Sequence, residues 1–525
     1  MNRQHGSAAL ALLLALCLSA LPGRSLAYPL DGYESTGIKR LEIQRMVQEG
    51  QAKGKKRPSG ELLPLAMVGL RLLDHPDFEL PTPDPALTAR VKRLVGPDVG
   101  RYGITLLDLS DMANPRYAEY NGNQQQNPGS VGKIVVALAV FQALANAHPN
   151  DIEARKRVLR EAMITADEFS VYDHHTVRIW DGANNRQIRR PIQKGDTASL
   201  YTFLDWMMSP SSNSAAGMIQ KHLILMAHFG ASYPVTPEQE AKFFADTPKK
   251  ELAKIYLEAI ESPIKRAGIG TDELRQGSFF TRQGKRLVPT STSSYATPRG
   301  FAKFMLKMEQ GKLVDEFSSR EIKRMLYITE RRIRYGSSGV LRSSAVYFKS
   351  GSLYSCMEEP GFVCKKYHGN KRNYMNSIAV IETPAGQDRL FYMVSVLSNV
   401  LRKNSAQDHR DLARAIHGYL LGVHPEKPGP GGKPLSASYG EGFIGYEAEQ
   451  AALALKTDTQ EALIALGYEI GEIDGVIGRG TRAAIKKYQQ SQGIPASGKP
   501  SSDLLKSMRK VAQQKGLARP APGAD

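Results

Sequence analysis

The chain has 525 residues, 41% of them hydrophobic and 23% charged, with 70 lysines and arginines against 52 acidic residues. This composition excludes a disordered polymer, and the length exceeds one ordinary core, so two to four folded units are expected. A formal charge of +18 would suggest nucleic acid as partner only for a cytosolic protein, and the first residues argue against that setting.

Residues 1–27 combine Arg3, an apolar stretch from Ala8 to Leu21 and a Ser25-Leu26-Ala27 cleavage end. This is the pattern of a secretory signal peptide, too short for a membrane span. Leu16 before Cys17 speaks against lipid attachment there. No later stretch reads as long enough to cross a bilayer. A soluble, exported protein is expected, periplasmic or associated with the cell wall, with no transmembrane span and no nucleic-acid partner. Arg3 and Arg24 leave with the leader, and the remaining positive charge would meet wall polymers or anionic membrane surfaces. Cys17 leaves too. Cys356 and Cys364 remain as an even pair in an oxidising compartment and are expected to form a disulfide closing a short hairpin insertion. His174-His175 lies in a polar segment with no third ligand at metal spacing and reads as a surface loop, so neither metal nor cofactor is expected.

Residues 28–94 read as a helical, charged N-terminal extension ending near the Pro-rich turn LPTPDPAL. It contains one of two basic runs, Lys53-Gly54-Lys55-Lys56-Arg57. The other is Arg331-Arg332-Ile333-Arg334, and each alone reads as a solvated face. From Tyr102 the segment YGITLLDLSD has strand character, RYAEYN is its hairpin partner, and Asn121-Gly122 turns the chain. An apolar helix follows from Ser130, and helices fill the middle. Strands return at SAVYFKSGSLYS, NSIAVIETP and RLFYMVSVLSN before a closing helix, DLARAIHGYLLG. Strands at both ends of a helical middle predict one α+β domain over 95–422 whose terminal segments share a sheet. Residues 423–450 are read as a Pro/Gly-rich linker, 451–512 as a small three-helix module and 513–525 as a disordered tail.

The stretch NPGSVGKIVVALAVFQAL places Ser130 and Lys133 three residues apart at the head of an otherwise apolar helix. Positions i and i+3 share a helix face, so the two side chains can touch. A serine hydroxyl needs a base before it attacks a carbonyl. A lysine supplies one if burial and a neighbouring cation lower its pKa toward neutrality. Two further triplets follow in chain order: Ser211-Ser212-Asn213 before an apolar helical run, and Lys349-Ser350-Gly351 on a strand. S-x-x-K, S-D-N and K-T-G in this order form the signature of class A β-lactamases and penicillin-binding proteins. The segments around all three, over roughly residues 95–422, resemble that family's catalytic domain.

The resemblance implies a β-lactamase/transpeptidase-like fold, an antiparallel sheet with a helical subdomain. It implies Ser130 as the acylated nucleophile, Lys133 as its base, Ser211 as relay to the leaving nitrogen, and Asn213 as the group holding Lys133 and the substrate amide. Lys349 would face the substrate carboxylate and assist Ser211, and Ser350 would add a hydrogen bond. Backbone N–H groups of Ser130 and of Ser352, next to Gly351, would form the oxyanion hole. Two departures matter. S-S-N replaces S-D-N, and the E-x-x-L-N segment carrying the deacylating glutamate is missing; Glu273-Leu274 is the nearest sequence, with no asparagine after it, and Glu273 reads as a surface residue. Without that base an acyl-enzyme formed with penicillin should persist, which shifts the expected substrate from antibiotic to wall peptide.

Near the C-terminus, ALIALGYEIGEIDGVIGRGTRAAIKKYQQSQGIPASG resembles the peptidoglycan-binding domain 1 family, through Leu466-Gly467-Tyr468, Asp474-Gly475, Gly478 and Thr481. Thr481 is expected to cap the second helix, with Ile485 and Tyr488 inside. The expected function is an exported serine acyl-enzyme hydrolase cleaving D-alanyl peptides of peptidoglycan, as a carboxypeptidase or endopeptidase. It would be acylated by β-lactams and tethered to peptidoglycan by its C-terminal module. The alternatives are a β-lactamase with an unusual deacylation base and a weakly active wall-binding scaffold. The insertions at 150–195 and 219–290 receive no role from the sequence.

Overall fold

The computed structural model describes residues 32–515 apart from 171–172, 182–183, 185, 292, 331, 426–454, 471–472 and 474–476. The expected leader, most of the expected linker and the chain beyond 515 lie outside the described residues.

Five strands form the main sheet: β1 Tyr102–Asp108, β2 Arg116–Tyr120, β3 Ala345–Ser355, β4 Arg372–Thr383 and β5 Leu390–Asn399. Their order is β2-β1-β5-β4-β3, antiparallel throughout. β1 lies beside β5, with Tyr102 opposite Ser398 and Asp108 opposite Tyr392, so the two ends of the domain do share a sheet. β1 and β5 are buried along almost their whole length, because both faces of the sheet are covered. One face packs under helix Pro85–Val95 and the closing helix Ala406–Val423, through Leu87, Val91, Leu412 and Ile416. The other packs against the helical middle.

The centre of that middle is α1, Lys133–Ala147, in which every residue from Lys133 to Phe141 is buried. A helix apolar on all sides must be enclosed. α2 Leu200–Met208, α3 Asn213–Phe229 and α4 Lys249–Arg266 belong to the same core as α1. The sequence showed no membrane-length stretch beyond the leader, yet Gly129–Ala147 is long and apolar enough to cross a bilayer. Its hydrophobicity is spent on the protein core instead. Ser199 and Ser212 cap α2 and α3, and Thr297 caps helix α5, Pro298–Glu309, by accepting from the Gly300 N–H at 2.9 Å.

In the N-terminal extension, helices cover Gly32–Thr36, Lys39–Gln48 and Pro85–Val95, while 49–84 contain only two three-residue turns. Prolines at 58, 64, 76, 81 and 83 deny that stretch the helix expected for it. It clamps to the body instead. Arg40 makes two hydrogen bonds to buried Asp205, at 2.7 and 2.5 Å. Lys323 Nζ joins Gly69 O, Glu309 and Glu382 at 2.7, 2.9 and 2.7 Å, and Arg71 reaches Glu382 at 3.0 Å. Removing one member of so buried a charge cluster would leave the others uncompensated, at a cost of about 3–5 kcal/mol.

Near the C-terminus, a helix over 455–465 packs with Arg479–Ser491 and Ser502–Gln514 around Leu463, Ile485, Tyr488, Leu504 and Met508. Thr481 is not the cap. Gly478 holds that position, and Thr481 is buried inside the helix.

Candidate active site

Ser130 sits in a 3-10 turn, Gly129–Gly132, that feeds directly into α1. The turn presses against β3 so closely that a Cβ on Gly129 would fall 2.6 Å from Ser352 N, and one on Gly351 only 2.1 Å from Pro128 O and 2.7 Å from Ser130 N. Glycine at both positions allows this backbone contact. It sets the amides of Ser130 and Ser352 on either side of one narrow seam.

Lys133 is the first residue of α1 and is fully buried. Its Nζ lies 2.6 Å from Ser211 O, 2.7 Å from Asn213 Oδ1, 3.1 Å from Ser130 Oγ and 3.4 Å from Ser211 Oγ, with the Phe279 ring 5.1 Å away. Burial pushes its pKa down to about 7, against a weaker upward pull from the Asp173 carboxylate. Burial does this without the neighbouring cation that sequence reasoning invoked. A neutral lysine keeps two N–H donors. Ser211 O and Asn213 Oδ1 are positioned to take both, leaving the lone pair for the Ser130 hydroxyl. The arrangement can remove a proton from Ser130 at neutral pH.

Ser211 adopts φ +71°, a left-handed conformation costing a non-glycine residue about 1–3 kcal/mol. The strain lets one residue turn its carbonyl to Lys133 and its hydroxyl to Lys349, whose Nζ donates to Ser211 Oγ at 2.7 Å. Lys349 is buried on β3, Ser350 follows half-buried, and Gly351 and Ser352 continue the strand along the turn. Ser130, Ser211, Lys349, Ser352, His175 and Tyr367 line a narrow cleft of about 40 Å³. Cys356 and Cys364 are disulfide-bonded with Cα atoms 6.0 Å apart, closing the β3–β4 connection that carries Tyr367.

Asp173, which the sequence did not single out, comes from the 150–195 insertion and is 3% exposed. Its Oδ2 accepts from Ser212 Oγ at 3.0 Å, Asn213 N at 2.5 Å and Ser214 N at 3.4 Å, and its Oδ1 from the backbone N–H of His175 at 3.1 Å. Burial alone would raise the Asp173 pKa, but His175 and these donors hold it well below the usual carboxylate range. Ser212, the middle of Ser211-Ser212-Asn213, is thus met by a carboxylate from 39 residues earlier. The sequence hint was Ser212 standing where S-D-N carries its aspartate. His174 is exposed as expected, but His175 lines the cleft, with Nδ1 2.6 Å from Asp173. The three side chains place ligand atoms within 4.8 Å of one another, yet both Asp173 oxygens already accept from protein donors.

Glu273 lies elsewhere, with its oxygens 2.9 and 2.7 Å from Lys303 Nζ. At the mouth of α1 stand Phe279 and Gln276, whose Oε1 would be 1.7 Å from a Cβ on Gly132. Among the described residues, Asp173 is the one carboxylate whose charge acts on Lys133, and it is committed to α3.

A family model described as "Putative peptidoglycan binding domain" matches residues 457–508. No curated protein matches the chain. Among solved structures, similarity is found to a β-lactamase from Sphaerobacter thermophilus DSM 20745, at 17% identity over 64% of this chain and 98% of that one, with a TM-score of 0.39. A structure named PBP-A matches at 13% identity over 66% and 99%, TM-score 0.41. A β-lactamase from Chitinophaga pinensis DSM 2588 matches at 13% over 64% and 98%, TM-score 0.40. The structural neighbours of the sheet-and-helix body are thus β-lactamases and PBP-A, and its C-terminal helices match the peptidoglycan binding family.

Proposed function

We propose that the protein is an exported serine acyl-enzyme hydrolase that cleaves D-alanyl peptides of peptidoglycan and is also acylated by β-lactams, with residues 457–508 holding it on the wall. The observation that carries this reading is Lys133, buried, with its pKa near 7 and its Nζ 3.1 Å from Ser130 Oγ. Lys133 takes the Ser130 proton as Oγ attacks the scissile carbonyl, and the oxyanion forms beside the Ser130 and Ser352 amides. The C–N bond breaks as Ser211 passes its proton to the leaving nitrogen, and Ser211 recovers a proton through Lys133 or Lys349. Asn213 keeps Lys133 in place, and Lys349 offers the substrate carboxylate a cation. Water then cleaves the ester.

The test is intact-mass spectrometry followed over time after adding a penicillin to the wild type and to Ser130→Ala. The expected result is one covalent adduct on the wild type, lasting minutes or longer, and none on the variant. Undiminished labelling of Ser130→Ala overturns the assignment. Rapid multiple-turnover nitrocefin hydrolysis by the wild type would replace the peptidase reading with β-lactamase.

A further inference from the structure

The first basic run of the sequence, residues 53–57, and Arg332 and Arg334 of the second, each run unremarkable alone, line one cavity. A trough of about 1100 Å³ runs between the N-terminal extension and the 332–342 segment. Eleven lysines and arginines and only two glutamates, Glu61 and Glu330, line it among the described residues. Concentrating like charges around one cavity raises the local potential and attracts anions. Internal pairing absorbs only part of the excess: Arg40 is bound to Asp205, Arg57 meets Glu61 at 3.0 Å and Arg178 meets Glu330 at 2.5 Å. The ammonium groups of Lys53, Lys55 and Lys56 have no hydrogen bond or ion pair among the described residues. Arg332 is the most telling. Its side chain is 9% exposed, one nitrogen lies 3.5 Å from Glu61, and Nε and Nη2 find no hydrogen-bond partner. A guanidinium so enclosed has donors left to satisfy.

Position and size then indicate what is bound. The trough meets the Ser130 cleft, sharing Ile333, Arg334 and Tyr367 with it. Arg334 forms the junction. It is held at φ +52° and donates to Gly351 O and, at 3.3 Å, to Asn376 O, with its guanidinium 5.4 Å from the centre of the Tyr367 ring. The cleft and the trough therefore adjoin at Arg334. The volume exceeds the roughly 300–1,000 Å³ of small-molecule sites, which suits a stretch of extended chain. We propose that this trough binds a carboxylate-bearing peptide strand continuing from the bond presented to Ser130, so that the N-terminal extension selects anionic wall peptides. That the strand is a wall peptide rests on the proposed function; that the trough binds a multiply carboxylated strand does not.

The experiment uses the full chain and two fluorescent peptides with the same D-Ala-D-Ala end, one with its remaining carboxylates free and one with them amidated. Fluorescence anisotropy measures binding and kcat/KM measures cleavage, for the wild type, for Lys53→Gln/Lys55→Gln/Lys56→Gln, and for a charge-matched control on the exposed face of α4, Lys249→Gln/Lys250→Gln/Lys254→Gln. The trough variant is expected to lose about tenfold in affinity for the free-carboxylate peptide relative to its amidated twin, since three partly exposed ion pairs are at stake. The control should leave that ratio unchanged, and the preference should shrink with rising salt. Equal affinity of the wild type for both peptides overturns the proposal, as does equal loss in both lysine variants. A glycerol-phosphate oligomer that outcompetes the carboxylate peptide overturns it in favour of a phosphodiester polymer. Because anisotropy needs no turnover, carboxylate-dependent binding without peptide cleavage would sink the peptidase reading alone. Penicillin acylation without any charge preference would sink the trough alone.

Discussion

Replacing Lys133 with Met separates the energetic cost of the buried lysine from its chemical use. The pKa of Lys133 falls from the ordinary 10.5 to about 7. At about 1.4 kcal/mol per unit, burying this amine costs the fold on the order of 5 kcal/mol at any pH below 7. The sign follows from proton counting. Between pH 7 and 10.5 the unfolded chain binds the proton and the folded chain does not, so stability rises with pH across that window. From pH 7 to 9 the gain is about 2–3 kcal/mol. Methionine fills the same space without a charge, and it leaves Ser211 O and Asn213 Oδ1 without their donor at about 1–3 kcal/mol each. In Lys133→Met the pH-dependent gain should vanish, so urea denaturation at pH 7 and pH 9 should show the wild type gaining about 2–3 kcal/mol over the variant. In parallel, the rate of wild-type penicillin acylation should fall with an apparent pKa near 7 as the pH is lowered, because only neutral Lys133 accepts the Ser130 proton. The variant should lose about 10²–10⁴-fold or more. Parallel stability profiles for the two proteins, or acylation undiminished down to pH 5, would falsify the account of Lys133 as a neutral buried base.

Asp173→Asn should slow acylation by about 10²-fold through misplaced Asn213. It should also move the acylation pKa downward, because the lost carboxylate raises the Lys133 pKa; an unshifted pKa would reduce Asp173 to a packing role. Glu273→Gln should leave the lifetime of the penicillin adduct unchanged, since Glu273 is tied to Lys303, and a longer lifetime measured by mass spectrometry would identify it as the missing base. Cys356→Ser/Cys364→Ser should cost at most about 2–3 kcal/mol, as expected for so short a closed loop, without unfolding the sheet by circular dichroism. Peptide mapping that recovers both thiols free from the wild type would contradict the bond. A chain truncated after His424 should keep its penicillin acylation but pellet less with peptidoglycan sacculi, and equal pelleting would remove the tethering role of residues 457–508.

The sequence disclosed the parts of this site that depend on short spacing and regular structure. Ser130 and Lys133 touch because three residues make nearly one helical turn. Lys349 is recognisable because Lys349-Ser350-Gly351 follows the other two triplets in chain order on a strand. The bond between Cys356 and Cys364 was legible because they are the pair left once Cys17 goes with the leader. Asp173 and Phe279 stayed hidden because they reach α1 and α3 from irregular segments, where no period links residue number to direction. The same limit misplaced the N-terminal extension: its charges suggested a helix, while its prolines forced an irregular path whose anchors, Asp205, Glu309 and Glu382, lie 165 to 311 residues away.

That irregular path also bears on how chemistry and recognition are divided in the chain. Lys133, Asn213 and Lys349 stand on α1, α3 and β3, and Ser130 and Ser211 in the turns that lead into α1 and α3, so that Lys133 Nζ is fixed among four oxygens to within a hydrogen-bond length. The basic trough is walled on one side by residues 53–58, which have no regular structure of their own. A site that must hold a proton-transfer geometry needs elements whose rotamers are locked by packing. A surface that attracts a run of carboxylates needs only charge density, because Coulombic attraction falls off slowly and tolerates small displacements. The extension can therefore confer ligand preference without disturbing Ser130. Changes along 53–58 should alter which substrates are drawn in, whereas changes at Gly129 or Gly351, where the backbones meet, should alter the chemistry itself.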